Sequence, residues 1–244
     1  DSGMLDNDDI TRFTELDFRV SAEPGTDVVI KDGETVILTI PNFTPGPDGF
    51  LIVTIDFADV FTNFNIPVNG PHPLSAEATD DATNRSAQSA VLPLVIDNVA
   101  PSNIATIELV NDTGSSSSDQ ITKISALALA GVLEANTKVR VYADGALVGQ
   151  GLVGSDESDG VDDLLGAWEV TTEPLADGEY TITLQVEDTA GNVTVINFDE
   201  PFNVVVDTLP PQRPTIDLVT PQDTGSFDND DITNLTTLTF RISA

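Results

Sequence analysis

One segment of the chain occurs three times, and its spacing sets the size of the folding unit. Asp1-Ser-Gly-Met-Leu-Asp-Asn-Asp-Asp-Ile-Thr11 returns as Asp112-Thr-Gly-Ser-Ser-Ser-Ser-Asp-Gln-Ile-Thr122 and again as Asp223-Thr-Gly-Ser-Phe-Asp-Asn-Asp-Asp-Ile-Thr233, a period of 111 residues from 1 to 112 and from 112 to 223. Self-similarity at a fixed period marks a tandem array, and a unit of this length is large enough to bury its own core. Two later landmarks keep the same order. Asp80-Asp-Ala-Thr-Asn84 corresponds to Asp188-Thr-Ala-Gly-Asn192, and Ile96-Asp97-Asn-Val-Ala-Pro101 corresponds to Val206-Asp207-Thr-Leu-Pro-Pro211.

Between the landmarks apolar residues alternate with period two, in Glu15–Ser21, Thr137–Ala143 and Glu179–Val186. Alternation of that kind describes half-buried strands. Asp144-Gly145 and Asp177-Gly178 read as hairpin turns, because glycine takes the positive φ that tight turns demand. The one stretch with helical appeal, Ile124–Gly131, aligns with the alternating Phe13–Val20 and is read as strand; Trp168 reads as a core or edge aromatic. Short strands with regular turns, about a hundred residues to the unit, predict an all-β chain of tandem immunoglobulin-like β-sandwich modules forming an elongated rod.

The repeat divides the chain into residues 1–101, a module lacking its first strand; 102–211, a complete module; and 212–244, the first strands of a third. Ile104–Val110 and Pro214–Val219 are the expected first strands, and Leu235–Ala244 the second strand of the tail. Unpaired strand edges seek partners. The partners expected are therefore the neighbouring modules of the same chain, with head-to-tail strand exchange into another copy through residues 212–244.

Charge narrows the partners further. Forty-one acidic residues against nine basic ones give a formal net charge of −32, which repels phosphate backbones and anionic lipid and argues against nucleic acid. No apolar run reaches membrane-spanning length and no leader is visible, so the chain reads as an excerpt of a longer protein with no membrane insertion. A field this negative calls for neutralisation, by divalent cations or by salt, and both point outside the cytosol. Cysteine is absent, which leaves ions and cores to supply stiffness.

The repeated landmarks are rich in Asp and Asn and fall in loops near module ends. Calcium takes six to eight oxygen ligands, so several carboxylates and carbonyls must converge. The expected ligands at the first junction are Asp80, Asn84, Asp97, Asp112 and Asp119, and at the second Asp188, Asn192, Asp207, Asp223 and Asp230. The same side chains could instead do no more than close their own turns. The acidic stretch Ser155–Asp163 fits no EF-hand and reads as a solvated loop.

Module two resembles the immunoglobulin-like repeats of very large Bap-like and RTX-type bacterial adhesins. The resemblance rests on the Asp112–Thr122 entry, Ala143-Asp-Gly145, Gly166-Ala-Trp168, the Leu175 to Tyr180 segment with its Asp-Gly pair, Asp188-Thr-Ala-Gly-Asn192, and Val206-Asp207 before prolines. It implies an exported, calcium-rigidified spacer on the bacterial cell surface, serving adhesion or biofilm formation. Module one departs from the pattern at Pro45–Phe50 and Phe57–Phe64. The aromatics Phe57, Phe61 and Phe64 read as core or, alternatively, as a patch that would make this module the ligand-binding part, recognising a glycan or protein. An accessory sandwich of a carbohydrate-active enzyme is a third reading.

Catalysis has little to stand on. His72 is the sole histidine and sits between prolines in what reads as a turn, so neither a Ser-His-Asp arrangement nor a histidine zinc site can be assembled. No catalytic residue is assigned and no enzyme activity is expected.

Overall fold

The computed structural model describes residues 2–5, 7–103, 105–155, 165–219, 222–224, 226–227 and 230–243. Module one contains β1 (Ile10–Thr11), β2 (Glu15–Val20), β3 (Asp27–Asp32), β4 (Thr35–Ile40), β5 (Leu51–Asp56), α1 (Phe57–Phe64), β6 (Gly70–Thr79) and β7 (Leu92–Ile96). One sheet runs β1-β7-β6-β3-β4 and the other is the antiparallel pair β2-β5. Alternation works as the sequence predicts. Val28, Ile30, Leu74, Leu94 and Ile96 turn inward from one sheet, Val20 and Ile55 from the other, and Phe43 and Phe57 fill the space between. Each such side chain stabilises the fold by about 1.5–3 kcal/mol through burial.

Module two follows with β8 (Glu108–Leu109), β9 (Ile121–Thr122), β10 (Ala128–Glu134), β11 (Lys138–Ala143), β12 (Ala146–Leu152), β13 (Leu165–Thr171), β14 (Gly178–Glu187), β15 (Val193–Ile196) and β16 (Phe202–Val206). Its sheets run β13-β10-β8 and β12-β11-β14-β16-β9, with β15 also on β14. Leu127, Leu129, Leu133, Val139, Val141, Trp168, Leu184 and Val204 are packed into one core that shares no residue with that of module one. The tail holds β17 (Thr215–Leu218) and β18 (Phe240–Ser243), paired antiparallel.

In both modules the short entry strand lies parallel to the last strand: Ile10 opposite Val95 and Thr11 opposite Ile96, then Ile121 opposite Val205 and Thr122 opposite Val206. The entry loop and the exit from the module therefore share one end of the sandwich. The hairpin at Asp144-Gly145 forms as expected, both residues having positive φ (48° and 81°).

Four local expectations change. Helix α1 interrupts the all-β pattern; Asp56 caps it, its carboxylate accepting the Ala58 N–H at 2.9 Å, and Asn65 ends it in the left-handed region. The Ile124–Gly131 strand starts only at Ala128. Asp177-Gly178 is not a hairpin: Gly178 opens β14, and Asp177 accepts from the Thr208 N–H and hydroxyl at 3.0 and 2.7 Å, pinning the chain as it leaves the module. His72 lies in β6, not in a turn, and is buried.

Of the expected first strand of module two, Ile104 is outside the described residues, and regular pairing covers Glu108–Leu109. The Thr106 N–H still reaches Val132 O at 3.0 Å. That crossing requires Gly131, where a Cβ would stand 2.0 Å from Thr106 O. Among the described residues β2 pairs with β5 alone, leaving its other edge without a strand. No helix among the described residues is long and apolar enough to cross a membrane.

Candidate functional site

The repeated loops use their acids in a fixed way. In the Asp80–Asn84 loop the Asp80 carboxylate accepts the Asn84 N–H and its side-chain amide, both at 2.8 Å; Asp188 accepts the Asn192 N–H at 2.8 Å and its side-chain amide at 2.9 Å. These bonds from the Asn84 side chain, then from its backbone, hold the Asp80 carboxyl below its ordinary value of 3.8, against a small desolvation effect; Ala82 N–H adds to the lowering. The two loops differ in setting: Asp80 is exposed, whereas Asp188 is buried.

The entry loops are also superimposable in their bonding. Asp8, Asp119 and Asp230 each accept the N–H two residues on, at 3.1, 3.2 and 3.1 Å. The residue after each has positive φ: Asp9 60°, Gln120 58° and Asp231 59°. Asp112 accepts the Gln120 N–H at 3.0 Å through Oδ2, and Asp223 accepts those of Asp230 and Asp231 at 3.1 and 3.2 Å. The second carboxylate oxygen of Asp112 and of Asp223 is buried without a hydrogen-bond partner. Burial of an unpaired anionic oxygen is costly unless a cation or a donor meets it. The counterpart in module one, Asp1, lies outside the described residues, as does most of the Ser155–Asp163 stretch.

Strand direction decides which loops meet, and it departs from the expected grouping. Strand β14 pairs Gly178 with Val206 at its start and delivers Asp188 beyond its other end, so Asp188 and Asp207 lie at opposite ends of module two, a ten-residue strand apart. Strand β6 separates Asp80 from Asp97 in the same way, pairing Gly70 with Ile96 at its start. At about 3.3 Å per residue each separation is about 30 Å. The Asp188–Asn192 loop instead faces back onto module one, where the Asn192 amide donates to Asp97 O at 2.8 Å. Asp207 stays beside its own entry loop, its N–H bonded to Thr122 O at 2.9 Å. The oxygens of Asp97 and Asp207 also accept the N–H groups of Val99 and Leu209 at 3.0 and 3.1 Å. Among the described residues no three acidic or histidine side chains are gathered in a way that would hold a metal.

The junction has further direct bonds that involve no acidic side chain. Ser2 Oγ donates to Ala190 O at 2.6 Å, Arg12 Nη1 to Gly191 O at 2.5 Å, and Met4 N–H to Thr189 O at 3.4 Å. Farther round, Thr194 Oγ1 donates to Pro101 O at 2.6 Å, and Asn197 N–H to Asn103 Oδ1 at 3.0 Å. The sequence signal for this joint is the pair of glycines in landmarks that also carry acids, Gly3 and Gly191.

No curated protein matches the chain. Among solved structures, the fibronectin(III)-like modules of Clostridium thermocellum CbhA align at 13% identity over 81% of this chain and 87% of that one, with a TM-score of 0.39. The family described as Bacterial Ig-like domain matches residues 99–208, so module two is similar to a class of structural module typical of bacterial surface proteins.

Proposed function

We propose that the chain is a spacer segment of a bacterial surface adhesin, with modules coupled end to end and stiffened by calcium outside the cell. The observation that carries the coupling is the joint itself, in which side chains and backbone of Ser2, Arg12, Asp97 and Asn192 tie one module to the next. The calcium reading is supported by the orphaned Oδ1 of Asp112 and of Asp223, buried anionic oxygens that suit a hard cation. A complete site would combine an entry-loop carboxylate of the Asp112 type, the exit carboxylate Asp207 and an Asp-Asn loop from the following module. Calcium would there neutralise the acids and cross-link two modules, and extracellular sites operate at dissociation constants of about 10⁻⁴–10⁻³ M.

Small-angle scattering in millimolar calcium and then in chelator tests this reading. The expected result is greater flexibility between modules on chelation, with β content retained. An unchanged scattering curve would reduce the acids to turn closers. A second reading, that module one binds a glycan or protein, is favoured by Phe61 and Phe64, exposed by 47% and 42% on one helix. Loss of surface binding by the Phe61→Ser, Phe64→Ser double variant, with an unchanged melting temperature, would support it.

A further inference from the structure

The loop Thr189–Gly191 meets Gly3 so closely that neither side has room for a side chain. A Cβ on Gly3 would stand 2.0 Å from Thr189 O, and one on Gly191 would stand 2.9 Å from Gly3 Cα. Both glycines also have positive φ, 101° and 87°. The joint is thus a plug of three successive carbonyls, Thr189 to Gly191, set in a socket made by the Ser2 hydroxyl, the Met4 N–H and the Arg12 guanidinium and packed on Gly3.

The repeat builds the same socket at the far end of module two. Thr113, Gly114 and Lys123 occupy the positions of Ser2, Gly3 and Arg12, 111 residues on. Gly114 has φ 118°, the Thr113 and Thr122 hydroxyls are 3.1 Å apart where those of Ser2 and Thr11 are 3.3 Å apart, and the N–H of Lys123 and of Arg12 each donate to the socket hydroxyl at 2.9 Å. Yet no described atom beyond its own chain neighbours lies within 4 Å of where a Gly114 Cβ would be. At the other end of the chain, the Asp80–Asn84 loop has the plug's internal bonds but carries Thr83, φ 65°, in the place of Gly191.

We infer that Thr113, Gly114 and Lys123 form a second socket, and that its partner is a further immunoglobulin-like module presenting a glycine-tipped Asp-x-x-Gly-Asn loop. The Asp80–Asn84 loop is excluded from such sockets by the Thr83 side chain, so whatever meets that end of module one does so through another contact. This deepens the spacer reading by naming the coupling surface, and it rests on direct protein contacts, not on calcium.

The test is run in chelator, so that failure of the calcium reading leaves it intact. Residues 99–208 enclose a complete core of their own and, freed from module one, expose the plug. Added unlabelled at millimolar concentration to the ¹⁵N-labelled full chain, this fragment is expected to shift the amide signals of Thr113, Gly114 and Lys123, and its Gly191→Thr variant is expected to shift none of them. No shift, or the same shift from both fragments, overturns the inference. Gly191→Thr keeps the loop folded because threonine already holds positive φ at the matching position 83. In the full chain, which has no cysteine, dyes on Thr62→Cys and Leu147→Cys report the joint directly. Gly191→Thr is expected to broaden the inter-dye distance distribution, and an unchanged distribution with both modules folded would overturn the close-packing argument.

Discussion

Asp80 shows how little of an acidic loop's chemistry needs a metal. Its lowered pKa means that the charged form is favoured by folding, so its contribution to loop stability is complete above the ordinary value of 3.8 and fades as pH falls through the lowered one. The Asp80 carboxyl titration followed by NMR should fall below that of an exposed aspartate, and Asn84→Ala should move it back up. His72 is the sharper case. Its Nε2 lies 2.9 Å from Val68 O and its Nδ1 2.6 Å from Asp32 Oδ2, both side chains being buried. Truncating one partner leaves the other buried without its hydrogen bond and should cost module one about 1–3 kcal/mol, so His72→Ala and Asp32→Ala should each lower its calorimetric transition while leaving that of module two in place.

At the scale of elements, periodicity made most strands legible, because half-buried strands must alternate: Lys138–Ala143 and Gly178–Glu187 sit where the pattern put them. Helix α1 was not legible. Phe57, Val60, Phe61 and Phe64 have helical spacing, but the segment is only eight residues long and has no counterpart in module two. It is tertiary packing that fixes the helix: the Phe57 ring meets those of Phe18 and His72 at centroid distances of 6.4 and 4.8 Å. Phe57→Ala should cost about 3–5 kcal/mol, measured by denaturant unfolding, whereas Phe61→Ala should cost far less. The candidate site was legible residue by residue but not as an assembly. Which loops meet depends on the direction of β6 and β14, and a list of repeated acids contains no direction. Tracing the strand that leads into each landmark would have placed the Asp188–Asn192 loop at the end of module two away from Asp207.

For the whole molecule the acidity must be read together with the joint. A net charge of −32 presses the modules apart, and the bonds between them include a guanidinium from one of only nine basic residues, at Arg12. Arg12→Ala should therefore loosen the joint most at low ionic strength and least in high salt, as scattering at two salt concentrations would reveal. The parallel pairing of β1 with β7, and of β9 with β16, bears on how the proposed spacer would take tension. Where neighbouring strands run the same way, a pull on the chain before one and after the other acts on the two in opposite senses, so tension slides them lengthwise past each other. The hydrogen bonds between them then resist together instead of parting one at a time, and each sandwich closes its own ends with a latch suited to load.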